Sequence, residues 1–507
     1  MSLFIIPAQD SPGYTDAYYY YNAAASLARG AGLTDEYLWM YINAPEALPA
    51  ESHRYWMPLT SIWAAGPLVV FGTSYSVAQM AFVPLLIGLS WVGFWLGYRM
   101  ENKRRHAWVA GLSIIFGGFY LPFWLATDSF VLFGLVGAGS LIALGLANGP
   151  QAIRWYALAG VLSALAHLTR ADGLLLLLVG LWMIGLRAVA NRAWREGLMQ
   201  GSVLLAAYLL VMLPWFMRNM AVIGAPLPAG GINTAFLLGY DDLFSYPADY
   251  PVSAFVDWGL GNIIQSRLEG ALVAFQTWLA VEGLILLGPF ALLALWIRRA
   301  EPFWRPMMWY ALGLHLVMAF VFTYPGMRGG LFHSSAALYP FWIALGLAGL
   351  DAAIAWLGKR RGWRQSEAQL VFGIAVVFLP VILGVFAWNG QQSNQRLSSA
   401  YATISADLPA EARLMVNDPA AWYYHTGYAG VTLPDESLAT ALAIAERYCI
   451  THLVIDRNVT PAFRPLIRDD AEPPPFLAPM MHLDGDTPDD WRDDTRVYRF
   501  AVDCTPR

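Results

Sequence analysis

The stretch SVAQMAFVPLLIGLSWVGFWLGY, residues 76–98, carries no charged side chain. A helix needs roughly 20 mostly apolar residues to cross the hydrocarbon core of a bilayer, so this stretch predicts a membrane span. Further stretches of the same kind follow, near 106–126, 129–147, 154–169, 173–190, 199–217, 271–297, 306–325, 333–357 and 367–389. The sequence therefore predicts an all-α polytopic membrane domain with about 10–11 spans.

The composition of the whole chain agrees with this prediction. Of the 507 residues, 57 % are hydrophobic and only 13 % are charged, whereas an ordinary soluble domain carries roughly 25 % charged residues. So little charge cannot cover a water-facing surface, which excludes a soluble enzyme, a disordered chain and a coiled coil. The 22 tryptophans suit a protein with two membrane–water boundaries. The two cysteines are too few for a disulfide scaffold or a cysteine metal site.

Basic residues predict the orientation of the spans, because cytoplasmic loops are enriched in Lys and Arg. They cluster in alternate loops, which we therefore assign to the cytoplasm: 99–105, 154, 187–195, 298–305 and 359–364. The opposite set faces outward and comprises 8–60, 127–128, 170–172, 218–270, 326–332 and the tail after 390.

The tail after residue 389 has a different composition. It holds 17 Asp and Glu against 10 Arg and no apolar run long enough to span a membrane. Predicted helices at 394–406 and 436–448 alternate with strand-like runs at 413–417, 451–455 and 495–500, which is typical of a small α/β domain. We thus predict two domains, 1–389 in the membrane and 390–507 outside it. Cys449 and Cys504 either form a disulfide there or remain separate thiols.

Two short apolar stretches fall outside the predicted spans. Residues 59–72 are interrupted by Gly66 and Pro67, which favours a re-entrant or interfacial segment. Residues 1–7, MSLFIIP, are too short for a span or a signal peptide. They read as the end of an apolar helix, so we expect most of a first helix to be missing because the start was assigned too late.

Ionisable residues at the outer ends of spans are the candidates for function. In the first outer loop, Asp16 begins a helix predicted over 16–28, and the run HRYW at 53–56 follows near the membrane surface. Asp128 lies in the turn ATDSF. The later outer loops add His167, Arg170, Asp172, Arg218, Arg328 and His333.

Each candidate also has a plainer interpretation. Asp16 suits a helix N-cap, His53 and Trp56 suit anchors at the membrane surface, and an arginine can extend its guanidinium to lipid headgroups. Arginines on the outer side nevertheless run against the positive-inside bias. Three of them at span ends, with acids on the same face, favour one polar site for an anionic ligand.

A transport mechanism would need ionisable groups near the bilayer midplane. The spans offer Glu282, His315 and Asp351, and Asp351 lies near the cytoplasmic end of its helix. No inverted repeat is visible. The chemistry is therefore expected at the outer face rather than along a path through the membrane.

A series of short motifs resembles the GT-C membrane glycosyltransferases. The bacterial relatives of protein O-mannosyltransferases and of the lipid A aminoarabinose transferase are the most similar members. The motifs are TDAYYYYNAAASLARGAGL (15–33), SHRYWMPLTS (52–61), HLTRADGLLLL (167–177), LPWFMRNMAVIGAPLP (213–228) and RGGLFHSSAALYPFWIALGLAGL (328–350). They cover most of the chain in order, and the tail, with VNDPAAWYYHTG (416–427), resembles the extracytoplasmic domain of such proteins.

The resemblance implies an enzyme of the plasma (inner) membrane. It would transfer a hexose or pentose from a polyprenyl-phosphate donor to an acceptor on the outer face, with inversion at the anomeric carbon. The acceptor stays open between protein, lipid and glycan, and no nucleic acid is expected as a partner. A transporter or flippase of a lipid-linked sugar, or a non-catalytic membrane scaffold, remains the alternative.

The resemblance also implies roles for individual residues. Asp16 matches the acid of the first outer loop, which acts as general base, and Asp128 matches a second-loop acid. The arginines that match the binders of the lipid phosphate are Arg170, Arg218 and Arg328. The residues placed to contact the sugar or acceptor are Tyr19, His53, Tyr55, Trp56, Asp172 and His333. The first loop lacks an Asp-x-Asp pair, so a divalent cation is possible but its ligands stay unassigned.

Overall fold

The chain divides into two units, each assembled from segments that are distant in sequence. The membrane unit comprises Met1–Asp10, Trp56–Leu227 and Leu260–Ser393, and the sheet unit comprises Ser11–Tyr55, Pro228–Gly259 and Asn394–Arg507. The structure is a computed structural model. It describes residues 2–149, 151–228, 230–392, 398–456, 459–468, 470–483 and 494–502.

Apolar helices build the membrane unit. The α-helices are Ser2–Ala8, Leu59–Phe71, Tyr75–Met80, Val83–Glu101, Arg104–Phe116, Phe130–Leu146, Ala152–Thr169, Leu174–Asn191, Trp194–Ile223, Leu260–Thr277, Gly288–Ile297, Arg305–Phe320, Thr323–Pro325, Leu331–Ser334, Tyr339–Arg361 and Gln365–Gln392. Single turns of 3-10 or π type connect them at Gly118–Tyr120, Ala171–Gly173, Trp278–Glu282, Pro302–Trp304, Gly326–Gly330 and Ser335–Ala337.

The stretch at 76–98 shows how sequence sets these helices. Its main helix is Val83–Glu101, with Pro84 in the first turn and Arg99 in the last. Proline suits the first turn, where an N–H has no helical partner, and a cation stabilises the negative end of the helix dipole. Asn102 then ends the helix in the left-handed conformation, with φ +51°, as C-terminal caps commonly do.

The helices confirm a multi-pass membrane protein. Among the described residues, five helices are long and apolar enough to cross a bilayer, and a sixth span results if the pair Pro302–Phe320 and Thr323–Ala337, bent by 112°, is counted as one. Other predicted spans form shorter helices. The segment at 106–126 is helical only to Phe116, because Gly117 and Gly118 adopt φ +69° and +57°, and that at 271–297 is broken after Glu282.

Asp351 pairs with basic side chains at Lys103 and in the first turn of the helix Arg104–Phe116. Its carboxylate lies 3.1 Å from Lys103 Nζ, 2.6 Å from Arg105 Nη2 and 2.9 Å from His106 Nε2. The acid thus fastens this segment to the helix Tyr339–Arg361. Because these contacts hold its carboxylate, we interpret Asp351 as a structural residue and not as an ion-binding residue of a transport path.

The sheet unit is an α/β fold. Its described strands lie side by side in the order Tyr37–Leu38, Gly430–Thr432, Leu414–Val416, His452–Ile455, Thr495–Phe500 and Leu477–Leu483. The first four run parallel and the last two pair antiparallel. The helices are Thr15–Ala28, Gly230–Asn233, Val252–Asp257, Ser398–Ala406, Pro419–Thr426, Leu438–Tyr448 and Arg464–Ile467, and Thr34–Asp35 pairs with Ala50–Glu51 in a separate ladder.

The predicted strands and helices of the tail are present, except that residues 394–397 of the helix predicted over 394–406 lie outside the described residues. The first loop adds to these elements. Leu38 and Leu48 are buried in the same core as Met415, Ile444 and Tyr498. The sequence analysis assigned residues 8–60 to a loop of the membrane domain, whereas in the structure residues 11–55 and 228–259 group with the tail. Burial of their apolar side chains explains this grouping, since it removes apolar surface from water.

Two details of the sheet unit concern single residues. A side chain at Gly430 would place Cβ 2.3 Å from the Leu414 carbonyl oxygen, so the pairing of these two strands requires glycine. Cys449 follows the helix Leu438–Tyr448 with φ +53°. Cys504 lies outside the described residues. The choice between a Cys449–Cys504 disulfide and two separate thiols therefore stays a prediction.

We expect Asp435 to make the protein less stable as the pH rises. Partial burial and the repulsion from Asp241, Glu436 and Asp242 raise the pKa of Asp435 to about 6. The folded state therefore favours the protonated acid, and stability is lost as the pH climbs from the unfolded pKa of roughly 4 through 6. Asp435→Asn should raise the melting temperature by about 1–3 °C at pH 7.5 and leave it unchanged at pH 4.

The measurement is a thermal melt of the purified protein at both pH values. Asp407→Asn, which removes an exposed acid of the same unit, is the matched control and should change neither melting temperature. An equal gain from Asp435→Asn at pH 4 and pH 7.5 would show that charge at this position does not destabilise the fold.

Candidate functional site

The membrane unit buries an acid beside a histidine. Asp128 stands directly before the helix Phe130–Leu146, and its side chain is fully buried. His333 lies on the short helix Leu331–Ser334, with Nε2 3.1 Å from Asp128 Oδ2. The imidazole stacks on the Phe130 ring, with the ring centroids 3.8 Å apart. Two predicted site residues, 205 positions apart, are thus brought into direct contact.

The hydrogen bonds of His333 limit what can lie between its imidazole ring and the Asp128 carboxylate. His333 Nδ1 lies 2.8 Å from the Gly329 carbonyl oxygen, which only accepts, so Nδ1 carries the hydrogen. Nε2 faces a carboxylate, which also only accepts when ionised. Either a second hydrogen or a cation therefore lies between Nε2 and Oδ2. Gly329 has φ +126°, a conformation that glycine alone adopts readily, and this places its carbonyl group under the ring.

Arg170 is held by an acid and a hydroxyl of the same unit. Its Nε lies 3.2 Å from Asp172 Oδ1 and 3.1 Å from Ser334 Oγ, and the Ser334 hydroxyl in turn donates to Asp172 Oδ2. Arg170 caps the helix Ala152–Thr169 in an extended conformation. The predicted pair of Arg170 and Asp172 is therefore present, and Ser334 locks it to the chain segment that carries His333.

Ser129 joins the two groups into one network. Its hydroxyl donates to Asp128 Oδ1 at 3.1 Å and accepts from Arg170 Nη1 at 3.5 Å. Asp128 also accepts the Ser129 backbone N–H. The bonds of Arg170 Nε to Asp172 and Ser334, together with the Nη1 bond to Ser129, fix the plane of its guanidinium group.

Aromatic side chains contact the segment 332–335, which carries His333 and Ser334 of this network. The Tyr120 hydroxyl lies 2.8 Å from Ser335 Oγ, and its ring stacks on Phe332 at 4.9 Å. The Tyr310 hydroxyl donates to the Ser334 carbonyl oxygen at 3.4 Å. Both tyrosines are fully buried. The contacts of Tyr120 and Tyr310 hold the segment 332–335 in place, and with it the orientation of Ser334 and His333.

The other two predicted arginines belong to other segments of the membrane unit. Arg218 is half-buried on the helix Trp194–Ile223, packs over the Trp215 ring at 4.8 Å and donates to Asn219 Oδ1 at 3.1 Å. Arg328 is exposed in the irregular turn Gly326–Gly330. That turn also supplies the Gly329 carbonyl group to His333, so Arg328 is adjacent in sequence to the acid–histidine pair.

Asp16 lies in the sheet unit, in the first turn of the helix Thr15–Ala28, which begins one residue before the helix predicted over 16–28. The N-cap of this helix is Tyr14, without a side-chain bond, so the plainer interpretation of Asp16 as the cap is wrong. The helix ends before Gly30 and Gly32, whose φ values are +82° and +79°, as the sequence predicts. Asp16 is half-buried.

The helix Thr15–Ala28 is anchored to the tail. Thr15 Oγ1 donates to Asp418 Oδ2 at 2.7 Å, and the Tyr18 hydroxyl lies 2.9 Å from His425 Nε2. Asn22 Nδ2 donates to the Ala420 carbonyl oxygen at 2.9 Å. Burial raises the pKa of Asp418, and the bond from Thr15 partly offsets this shift. These bonds give the start of the helix, and with it Asp16, a defined position within the sheet unit.

Two of the predicted sugar contacts are buried side chains. Tyr19 accepts the His53 backbone N–H at 2.6 Å, and the exposed fractions of the two residues are 2 % and 0 %. Burial and the nearby charge of Asp35 raise the pKa of Tyr19 well above its usual value, which keeps the phenol neutral. Neither ring presents a face to a sugar. Tyr55 and Trp56 remain half-buried, and Tyr55 packs edge-on against Trp39 at 5.5 Å.

The sequence analysis missed Ser129 and Ser334. Each serine is the direct neighbour of a predicted site residue, in the runs TDSF and FHSS. Their position next to Asp128 and His333 was the available signal. His167, by contrast, is hydrogen-bonded to Tyr208 between two helices.

No protein-family model and no curated protein matches this sequence. Solved structures do match. Oligosaccharyltransferase AglB from Archaeoglobus fulgidus, in complex with an inhibitory peptide and a dolichol-phosphate, has a TM-score of 0.57 at 12 % identity, over 93 % of this chain and 69 % of its own. In a second structure, with Zn and sulfate, the oligosaccharyltransferase of that organism has a TM-score of 0.56 at 15 % identity, over 88 % of this chain and 64 % of its own.

A bacterial structure matches over nearly the full length of both chains. ArnT from Cupriavidus metallidurans, bound to undecaprenyl phosphate, has a TM-score of 0.55 at 14 % identity, over 98 % of this chain and 96 % of its own. AglB and ArnT are both GT-C membrane glycosyltransferases. At these identities the likeness concerns the fold, and the chain therefore has the fold of the GT-C membrane glycosyltransferases.

Proposed function

We propose that this protein is a glycosyltransferase that moves a sugar from a polyprenyl-phosphate donor to an acceptor. The acceptor lies on the outer face of the plasma (inner) membrane, and the sheet unit lies on that side. The observation that carries the proposal is Arg170, held by Asp172 and Ser334 in a membrane unit that also buries Asp128 against His333. The GT-C fold supports the same reaction class.

The proposed chemistry is displacement at the anomeric carbon. The bond between C1 and the phosphate oxygen breaks, its electron pair stays with the phosphate, and a new bond forms between C1 and the acceptor hydroxyl oxygen. A phosphate is a good leaving group, so the main task is to stabilise its developing charge. Arginine does this with paired N–H bonds. We assign Arg170 to this role, supported by Arg218 and Arg328.

The acceptor hydroxyl must also lose a proton. Both oxygens of Asp128 are engaged, Oδ1 by Ser129 and Oδ2 by His333, which suits a positioning residue better than a base. We therefore assign the general base to Asp16 and give Asp128 the task of orienting His333. With a single displacement, the configuration at C1 inverts.

Asp128 and His333 could also hold a divalent cation. A carboxylate oxygen and an imidazole nitrogen 3.1 Å apart are ligand types that suit zinc or manganese, and the fixed Nδ1 hydrogen of His333 leaves Nε2 available. When bound, such a cation would add positive charge near the donor phosphate. Tyr55 and Trp56 stay as candidates for stacking on a sugar.

The test uses purified protein in detergent with a panel of polyprenyl-phosphate hexoses and pentoses, and with a membrane extract as the source of acceptor. Mass spectrometry follows the loss of each donor. We expect at least one donor to be converted to free polyprenyl phosphate, because transfer needs no sealed membrane. A protein that leaves every donor intact in detergent, yet moves one across the bilayer of sealed vesicles, would be a flippase instead.

A further inference from the structure

The membrane unit contains a second carboxylate–imidazole pair, which the proposed reaction does not use. Glu282 closes the π-type turn Trp278–Glu282 and is fully buried. His315 lies on the helix Arg305–Phe320, with Nε2 3.1 Å from Glu282 Oε1. Neither of these two atoms makes a hydrogen bond, although both are buried. The two atoms lie close together, but their geometry is not aligned for a hydrogen bond between them.

Other bonds fix which electron pairs point into the space between them. His315 Nδ1 lies 2.8 Å from the Ala311 carbonyl oxygen, so Nδ1 carries a hydrogen, and Nε2 of the neutral imidazole presents a lone pair. Trp342 donates its indole N–H to Glu282 Oε2, which leaves Oε1 facing the imidazole. Ligands of metal ions in proteins are held in the same way, by an outer bond on the second ring nitrogen and on the second carboxylate oxygen.

The 3.1 Å separation discriminates between possible occupants. A water donating to both atoms at about 2.8 Å would need an angle of about 67° between its bonds, far below the roughly 105° of water. A metal ion at about 2.0–2.2 Å from both atoms would subtend about 90–100°, close to its preferred geometry. A hydrogen on Nε2 would make the pair an imidazolium–carboxylate ion pair, but the bond between the two atoms is poorly aligned. The distance therefore fits a metal ion.

The negative charge of the buried Glu282 carboxylate also favours a cation at this position. Within the described residues, no Lys or Arg lies at ion-pair distance from Glu282, and His315 is its ionisable partner. A buried carboxylate inside a membrane unit is costly unless a cation compensates it. The His315 side chain is 20 % exposed, whereas that of Glu282 is fully buried.

The backbone around Glu282 is also irregular. Leu284 and Ile285 both have positive φ, +45° and +63°, a conformation that a β-branched residue rarely adopts. Irregular backbone at membrane depth is tolerated where it is enclosed by protein, and broken helices commonly form ion sites. An ion held by Glu282 and His315 would fasten this break to the neighbouring helix.

We propose that Glu282 and His315 form a binding site for a zinc-class divalent cation in the membrane unit, distinct from Asp128 and His333. Imidazole and carboxylate are ordinary zinc ligands, and water or backbone oxygen would complete the coordination. The site would stabilise the break between Thr277 and Gly288 against the helices Arg305–Phe320 and Tyr339–Arg361. This proposal stands independently of the glycosyltransferase proposal.

The test measures zinc content and affinity of the full-length protein after chelator treatment. A His333→Ala background removes the other candidate cation ligand. In that background we expect one zinc per chain, and adding Glu282→Gln should weaken binding at least about tenfold. Glu301→Gln, which changes an exposed carboxylate in a loop, is the matched control and should keep the zinc. Equal zinc binding with Glu282→Gln, or no zinc in the His333→Ala protein, would overturn the proposal.

A second variant covers the case in which Glu282→Gln does not fold. His315→Ala removes the imidazole ligand and leaves Glu282 in place. In the His333→Ala background, we expect His315→Ala to weaken zinc binding at least about tenfold. Unchanged zinc binding by a folded His315→Ala protein would also overturn the proposal.

Discussion

Asp16→Asn is expected to lower the rate of sugar transfer about 10²–10⁴-fold, the range that a general base contributes. Asparagine has nearly the same shape but cannot accept the proton of the acceptor hydroxyl. The affinity for the donor should change little, because the proposed phosphate ligands are arginines. The measurement is kcat for loss of the donor, with thermal melts of the same preparations.

The fold should tolerate this change. Asp16 lies in the first turn of the helix Thr15–Ala28, where a carboxylate contributes about 0.3–1 kcal/mol through the helix dipole. The helix is held mainly by the bonds of Thr15, Tyr18 and Asn22 to the tail. Glu36→Gln, another carboxyl of the first loop, is the matched control with unchanged kcat. Full activity of Asp16→Asn would remove Asp16 from the mechanism.

Arg170→Ala is expected to cause the largest loss, about 10³–10⁵-fold in kcat/KM, by analogy with arginines that stabilise phosphate charge in phosphoryl transfer. Arg170→Lys should recover only a small part of the activity. A lysine keeps the charge but lacks the planar fork, and it cannot reproduce the Nε bonds to Asp172 and Ser334. Steady-state kinetics with one donor measure both variants.

The control for Arg170 is an arginine with a similar ion pair in another place. Arg364 pairs with Glu367 at 3.0 Å, and both side chains are exposed. Arg364→Ala should leave kcat/KM unchanged. If Arg170→Lys were as active as the unmodified protein, the bidentate role of Arg170 would be wrong, and a simple positive charge would suffice.

Much of the fold follows from local sequence patterns. Charge-free apolar runs locate the helices of the membrane unit, and short strand-like runs locate His452–Ile455 and Thr495–Phe500. These elements depend on side chains within one segment. The strand Tyr37–Leu38 could not be predicted in this way, because it is formed by pairing with Gly430–Thr432, almost 400 residues later.

The break after Glu282 shows the same limit within the membrane unit. The run TWLAVEGLILLG at 277–288 holds no proline, and its local pattern predicts one continuous span. The left-handed residues Leu284 and Ile285 reflect contacts made elsewhere, such as the bond from Trp342 to Glu282. Long-range contacts of this kind are invisible to a pattern of hydropathy.

The candidate site was partly predictable for a related reason. Asp128, Arg170, Asp172 and His333 stand out because ionisable residues are rare at span ends. Ser129 and Ser334 are common residue types, so composition gives them no weight. Their role appears only when the network of bonds is known.

The most direct test of sugar transfer is the fate of the oxygen between C1 and phosphorus. A donor labelled with ¹⁸O at this bridging position is incubated with the purified protein, and the released polyprenyl phosphate is analysed by mass spectrometry. Displacement at C1 predicts that the label stays with the phosphate. Unlabelled polyprenyl phosphate would mean cleavage of the phosphorus–oxygen bond and would contradict glycosyl transfer, as would a donor panel that is never consumed.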